Sequence, residues 1–360
     1  MRKFILSMAL AIVSVGAYAQ VTTGCTPDQN KPEIGATYTY QVNVTGGTAP
    51  NNYNGDGIYQ WYVTQDGGNL LNGALNGANN KFFSLKGGSA YNSTATTGTE
   101  NNIKLAWKPD ALMETTAFYL VLRYSEDNPA CKSHNVKVMK INPLNNFKVN
   151  ITPVKDLNGT AFTDPAQAEV CSSDVSSVSI VDNKVKYQYG ETKLYYKVTM
   201  TGFAGNWKPT IYLPQLQGLA SANSDADYMP RKYKSVKWKV GAGGAFTDFA
   251  TVTDNGQAQT IVAANATDKS EFILEVTIDN GTYEGLTDEA IAVATKGQMV
   301  LADDTLGKRD VDDNCNELTD DNNKKSKSKN IGSSYRYSNF WRIHHPNSIK
   351  KFKKLSLYEV

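Results

Sequence analysis

The side chains that most often carry out chemistry in proteins are scarce here and are not spaced for catalysis. The 360 residues include three histidines, His134 and the adjacent His344 and His345. Neither a G-x-S-x-G nor an H-E-x-x-H pattern occurs, and these are local signatures of a serine nucleophile and of a zinc-bound histidine pair. The sequence therefore predicts no catalytic residue, no metal site and no cofactor, and we expect a protein that is not an enzyme.

Four cysteines are the other candidates for chemistry. An even number in an exported chain predicts two disulfides, for which three pairings exist. Metal binding is the alternative, but the chain has no C-x-x-C and no histidine pair near a cysteine. The spacing favours one bridge in each half of the chain, Cys25–Cys131 and Cys171–Cys315.

An acidic stretch near residue 310 resembles the first half of a calcium loop. Asp310-x-Asp312-x-Asn314 offers alternating oxygen ligands, and Asp321 stands at the twelfth position. The sixth position, where such a loop needs glycine, is Cys315, and the twelfth lacks the bidentate glutamate. We therefore interpret the stretch as an acidic linker.

Aromatic side chains in a segment at about 203–233, rich in Pro, Ala, Asn and Tyr, are candidates for ligand stacking. The faces of Trp and Tyr on a sandwich loop can stack on sugar rings, as in carbohydrate-binding modules. Packing of the segment onto its own sheet explains the same residues. The four candidates are Trp207, Tyr212, Tyr228 and Tyr233.

The N-terminus has the pattern of a bacterial export signal. Arg2 and Lys3 precede an apolar run over residues 4–15, and an Ala-Tyr-Ala cleavage pattern ends at residue 19. A bilayer span needs about 20 apolar residues, so the run is too short to be an anchor. We predict that residues 1–19 are a signal peptide. The mature chain is then exported to the periplasm, the cell surface or the medium, without a transmembrane segment.

Charge is divided unevenly along the chain. Residues 324–360 contain ten Lys or Arg and one acid, whereas residues 20–321 contain 25 basic and 34 acidic side chains. The folded part is thus mildly acidic and predicts no nucleic-acid partner. The charge blocks predict that residues 301–360 form a charged, disordered tail. The abrupt change of composition also fits a shifted reading frame.

Alternating apolar residues in the first half predict half-buried β-strands separated by Gly, Asn and Pro turns. These runs cover residues 38–44, the segment IYQWYV around Trp61, and residues 103–107. The runs FYLVLRYSEDN and NVKVMKI then form a hairpin about an Asp-Asn-Pro turn. The sequence predicts an antiparallel sandwich over residues 20–143, with Trp61 and Trp107 in its core.

The second half repeats this order of strands. Residues 194–200 match the first run, residues 236–240 around Trp238 match the tryptophan strand, and EFILEVTIDNG matches the hairpin strand. The match requires an insertion at about 203–233. We therefore predict an all-β protein of two tandem immunoglobulin-like antiparallel β-sandwiches, the second over residues 144–300 with Trp238 in its core, followed by the disordered tail.

The pattern Y-x-W-x-V, a Gly-rich stretch, I-x-L-x-W, Y-L-V-L, Cys and V-K-V-x-K-I-N-P resembles the Ig-like or PKD-like modules of Bacteroidota secreted surface proteins. The resemblance covers residues 25–143 well and residues 147–300 loosely. It implies a spacer or adhesive unit tied to type IX secretion and gliding motility. The chain departs from the PKD pattern because it lacks W-D-F-G-D-G.

These observations favour a non-catalytic structural or adhesive component of the bacterial cell envelope or surface. Its expected partners are other envelope or surface proteins. The alternative is a carbohydrate-binding protein that takes up glycans with the aromatic residues of the insertion.

Overall fold

The computed structural model shows an all-β protein, and in its described residues the one short 3₁₀ turn is Pro109–Met113. It describes residues 26–44, 55–77, 80–87, 91, 100–128, 131–163, 168–171, 173–218, 228–241, 243–283, 289–313, 315–318, 336–337 and 341–344. The predicted signal peptide lies outside these residues. No helix in the described part of the chain is long and apolar enough to cross a membrane.

The chain divides into two compact units. The first contains Met1–Phe147, Gly202–Gly205 and Met299–Glu317, and the second contains Lys148–Thr201, Asn206–Gln298 and Leu318–Val360. Six strands of the first unit are β1 (Thr37–Gln41), β2 (Ile58–Thr64), β3 (Phe83–Gly87), β4 (Asn102–Trp107), β5 (Phe118–Asn128) and β6 (Cys131–Ile141).

The first unit has the strand order of an immunoglobulin-like sandwich. One sheet has the order β1-β4-β3 and the other β2-β5-β6, which correspond to the two sheets of that fold. Trp107 on β4 and Phe118 on β5 bring the sheets together, with ring centroids 5.0 Å apart. Trp61 and Trp107 are both buried, so the predicted fold class is confirmed and these tryptophans fill its core.

The remaining strands follow in chain order. They are β7 (Lys148–Val154), β8 (Glu169–Cys171), β9 (Val175–Val181), β10 (Lys184–Tyr189), β11 (Glu191–Thr201), β12 (Trp207–Leu213), β13 (Lys232–Val240), β14 (Thr247–Asp248), β15 (Gln259–Val262), β16 (Glu271–Asp279), β17 (Glu289–Ile291), β18 (Ala294–Val300), β19 (Leu306–Arg309), β20 (Arg336–Tyr337) and β21 (Trp341–His344).

The second unit is also a sandwich of antiparallel sheets. One sheet has the order β14-β13-β16-β11-β7, and the other contains β15-β12-β18. Trp207 on β12 and Trp238 on β13 both contact Phe272 on β16, at 5.9 Å and 5.3 Å between ring centroids. A smaller sheet, β17-β21-β8, includes a short strand of the C-terminal segment.

The segment that was interpreted as an insertion contains a core strand instead. β12 lies between β11 and β13 in the chain and pairs in the opposite sheet from them, as β2 lies between β1 and β3. The strand β12, and not β13 with Trp238, therefore corresponds to β2, and its Trp207 is buried in the core as Trp61 is. The sequence did not predict β12 because Pro209 lies within it and Pro214 follows it, and proline is uncommon in central strands.

Part of the predicted tail is ordered in the first unit. The backbone N–H of Ala302 donates to Asp110 at 3.1 Å, and that of Val311 donates to the Phe147 carbonyl at 2.8 Å. Asp310 and Val311 are buried, so the start of the acidic stretch is not a solvated linker. The charge pattern did not predict this, because hydrogen bonds of buried acids leave no periodic signal in a sequence.

The packing predicts how stability responds to truncation in the second unit. Leu274 on β16 is fully buried between Tyr196 and Trp238 in the sheet register. We expect Leu274→Ala to lower the free energy of unfolding by about 2–5 kcal/mol, because it leaves a cavity. Val262→Ala on β15, where the side chain is 48% exposed, is the control and should cost less than about 0.5 kcal/mol. Equal losses in chemical denaturation would contradict the assigned core.

Candidate functional site

The main exposed apolar feature of the second unit is the hairpin of β9 and β10, which sequence analysis did not single out. The two strands pair antiparallel and form a sheet of their own. Asp182 and Asn183 make the two-residue loop, with φ of 51° and 60°. Positive φ at both loop positions is the type I′ geometry that matches strand twist, and Asp and Asn tolerate it.

One side of this hairpin is apolar and faces water. Cross-strand pairing places Ile180 beside Val185 and Val178 beside Tyr187. Their exposed fractions are 75% for Ile180, 58% for Val178, 54% for Val185 and 40% for Tyr187. We call these four side chains the apolar face. Ser177, Ser179 and Lys186 lie on the opposite face, as the period of two in a strand requires. We call it the polar face, although Val181 also lies there.

Asn280 holds the base of the hairpin. Its side-chain nitrogen lies 2.8 Å from the Ser173 hydroxyl, 2.8 Å from the Gly190 carbonyl and 3.0 Å from the Thr192 hydroxyl. The Tyr189 N–H also donates to the Gly281 carbonyl at 2.8 Å. A two-stranded hairpin alone is marginally stable in water, so these hydrogen bonds at both of its ends position the apolar face.

A buried ion pair supports Asn280 in turn. Arg231 donates from Nε to the Asn280 side-chain oxygen at 3.0 Å and from Nη1 to Glu289. Both charged side chains are almost fully buried, and the second Glu289 oxygen accepts from the Gln217 N–H at 2.7 Å. Burial and the nearby Glu289 charge raise the pKa of Tyr233, whose hydroxyl donates to the Pro214 carbonyl.

The residues predicted to stack on sugars are not all arranged for that purpose. Trp207 and Tyr233 are fully buried, and the Trp207 ring nitrogen donates to the Lys269 carbonyl at 3.0 Å. Tyr212 is half-buried on β12, and the Tyr228 hydroxyl donates to the Gly218 carbonyl at 2.5 Å. Trp207 and Tyr233 therefore cannot stack on a sugar, because their rings pack inside the sandwich. For the half-buried Tyr212 and Tyr228, stacking stays a prediction.

The first unit contains a small apolar cavity between β1 and β6. Its volume is about 80 Å³, and its lining includes Tyr40, Trp61, Leu122 and Met139, with Lys137 as the charged member. None of the described lining side chains is a carboxylate, histidine or cysteine. Burial raises the pKa of Tyr40, so its hydroxyl stays neutral. The cavity can hold an apolar group but offers no acid–base pair.

The histidines are the remaining candidates for chemistry. His134 lies on β6 and His344 on β21, but their side chains, like His345, fall outside the described part of the chain. No group of three His, Cys, Asp or Glu suited to a metal ion occurs among the described residues.

The structure contradicts the predicted Cys171–Cys315 disulfide. The Cys171 thiol is free and exposed, while Cys315 is disulfide-bonded. The reason is the path of the chain, because Cys315 lies in the segment that returns to the first unit and Cys171 belongs to the second. The side chains of Cys25 and Cys131 lie outside the described residues, but the predicted Cys25–Cys131 pair is also wrong, because one of these two cysteines must be the partner of Cys315.

Comparisons with known proteins find only remote similarity to solved structures. No protein-family model matches the chain, and no curated protein matches it. Among solved structures, BcpA, the major pilin subunit of Bacillus cereus, is 12% identical, with 70% of this chain and 67% of that chain covered and a TM-score of 0.27. The full-length major pilin SpaD from Corynebacterium diphtheriae is 8% identical, with 76% and 64% covered and a TM-score of 0.27.

A third similar structure is CfaE, the adhesive subunit of the CFA/I fimbria of enterotoxigenic Escherichia coli. It is 9% identical, with 88% of this chain and 81% of that chain covered and a TM-score of 0.27. At such scores no function is transferred from these proteins.

The thiol assignment predicts a labelling pattern. In the native, non-reduced protein, iodoacetamide should modify Cys171, because its thiol is exposed, and should leave Cys315 unmodified. Peptide mapping before and after reduction measures both sites, and it identifies whether Cys315 is linked to Cys25 or to Cys131. Labelled Cys315 or protected Cys171 before reduction would contradict the assignment.

The base of the hairpin predicts a local change of dynamics. Asn280→Ala removes three contacts that hold Ser173, Gly190 and Thr192. We expect it to cost about 1–3 kcal/mol, because buried partners lose their hydrogen bonds. Hydrogen exchange over residues 175–189 should accelerate. Asn183→Gly is the control, since glycine adopts the positive φ of this loop position, and exchange that is equal in both variants would refute the role of Asn280.

Proposed function

We propose that this chain is an exported, non-catalytic structural or adhesive component of the bacterial cell envelope or surface. It binds a protein partner through the apolar face of the β9–β10 hairpin. The observation that carries the proposal is that Val178, Ile180, Val185 and Tyr187 form one contiguous apolar surface in water. Contiguous exposed apolar groups, unlike scattered single ones, are typical of interaction sites.

The support beneath the hairpin favours binding over accidental exposure. A buried ion pair contributes little net stability, because removing two charges from water offsets their attraction. The Arg231–Glu289 pair nevertheless orients Asn280, and Asn280 fixes both ends of the hairpin. A surface that is held in place loses less conformational entropy on binding than a mobile loop.

The location in the envelope rests on the sequence. The predicted signal peptide over residues 1–19 supports export. The resemblance of residues 25–143 to Ig-like or PKD-like modules of Bacteroidota surface proteins supports a spacer or adhesive role in proteins handled by type IX secretion. The glycan alternative is less favoured, because two of its four stacking residues, Trp207 and Tyr233, are buried.

A binding assay on isolated envelopes tests the proposal. The mature chain is labelled and titrated onto envelopes of the producing bacterium that have been stripped of the native protein. We expect Ile180→Thr/Val185→Thr to weaken binding about tenfold or more, because threonine lacks two apolar carbons of Ile180 and one of Val185, each worth about 0.8 kcal/mol when buried. Threonine retains the β-branched shape that suits a strand.

The matched control is Ser177→Thr/Gln188→Thr on the polar face, since these residues pair with each other in the same hairpin. It should bind as the unchanged chain does. Equal binding by all three proteins, or an equal loss in both variants, would sink the proposal that the apolar face is the binding surface.

A further inference from the structure

β9 presents an unprotected sheet edge. Its sequence VSSVSIV contains no charged residue, proline or glycine, and every residue from Val175 to Val181 is exposed. Within the described chain it pairs only with β10. In a hairpin with a two-residue loop, the two residues that flank the loop, here Val181 and Lys184, form a hydrogen-bonded pair. Hydrogen-bonded and non-hydrogen-bonded pairs alternate along the strands, so the N–H and C=O groups of Val178 and Ile180 point away from β10.

The two edges of the hairpin differ in charge. β10 carries Lys184 and Lys186, and lysine on an edge strand is a common means of preventing edge-to-edge pairing. β9 has no such protection. A short uncharged segment of high β propensity is the kind of edge that pairs with another strand. Another strand is therefore expected to pair with the β9 edge of the hairpin and not with the β10 edge.

We propose that the β9 edge pairs with β9 of a second copy of this chain, antiparallel, with Ser179 opposite Ser179. This goes beyond the proposed function, since it concerns the edge of the hairpin and not its apolar face, but it rests on the same hairpin as the binding element. The contact is two-fold symmetric and closes after two copies. It turns two hairpins into one four-stranded sheet.

The register follows from the pattern of side chains. Residues that are directly opposite in an antiparallel pair lie on the same side of the sheet. With Ser179 opposite Ser179, Val178 lies beside Ile180 of the second copy, so both apolar faces fall on one side. A slip of one residue would place apolar side chains among the serines of the other face.

Charge also favours identical copies. Because β9 carries no charge, two copies meet without like-charge repulsion. Pairing of two β10 edges would bring lysines close to lysines, which destabilises a sheet. The fused sheet presents a continuous surface of Val178, Ile180, Val185 and Tyr187 from each copy, which doubles the apolar face.

Cysteine cross-linking tests the register in the full mature chain. Ser179→Cys is introduced together with Cys171→Ser, which removes the exposed native thiol. The backbone N–H and C=O groups of Ser179 point toward β10, so Ser179 forms a non-hydrogen-bonded pair with Ser179 of the second copy. The two Cβ atoms of such a pair lie about 5 Å apart, which suits a disulfide. We expect mild oxidation to give a dimer on non-reducing gels.

The matched control is Lys184→Cys in the same background, and Cys171→Ser alone reports the native thiols. Lys184 lies on the far strand, so its counterpart in the second copy is at least about 10 Å away and beyond disulfide reach. Dimer should form at least about tenfold faster with Ser179→Cys than with either control. Equal rates, or cross-linking of Ser179→Cys to another protein instead, would overturn the proposal.

Sedimentation equilibrium provides a second test without cross-links. Ser179→Lys places two like charges opposite each other and should raise the dimer dissociation constant up to about fivefold. Ser177→Lys is its control, because in this register residue 177 lies opposite Val181.

If cross-linking fails while Ile180→Thr/Val185→Thr still loses envelope binding, the dimer is refuted and the proposed function stands. If cross-linking succeeds while envelope binding is unchanged, the proposed function fails and the dimer stands.

Discussion

An antiparallel sheet with one apolar side must keep that side from water, and this requirement organises both units of the protein. In each unit the side is covered by a second sheet, with aromatic contacts such as Trp107–Phe118 and Trp207–Phe272 between them. The β9–β10 hairpin has an apolar side of the same kind, but no second sheet of the described residues covers it. The exposed surface is thus an exception to the rule that the rest of the chain follows.

The polar interior beneath the hairpin explains how this exception is maintained. A buried polar group that loses its hydrogen bond raises the free energy of the folded state. Asn280 therefore holds its hydrogen-bond partners in fixed positions. Arg231 and Glu289 orient Asn280, and their burial makes the arrangement specific even though the ion pair itself adds little stability. The function that we propose depends on this rigidity, since binding by a fixed surface keeps more of the gain from apolar burial.

The sequence allowed the fold class to be predicted, because the period of two in runs such as IYQWYV and EFILEVTID is a direct record of burial on one side. It did not allow Trp207 to be placed, because Pro209 and Pro214 disguised its strand. It also misplaced Cys315, since the return of residues 299–317 to the first unit is a long-range contact that spacing does not record.

The hairpin could have been found from the sequence. VSIV and KVKY alternate on either side of Asp182-Asn183, which is a hairpin signal. The exposure of its apolar side could not have been predicted, because the alternation of apolar and polar residues is the same whether that side is covered or not. Asn280 and Glu289 were also beyond reach, since their contacts join residues that are distant in the chain.

Hydrogen exchange of the free and the envelope-bound chain tests directly whether a partner binds at the β9–β10 hairpin, because it reports which backbone segments the partner covers. The account predicts slower exchange over residues 175–189 in the bound state, with the largest change in β9. Unchanged exchange in the hairpin, together with protection of another segment, would contradict the claim that this surface is where the protein binds.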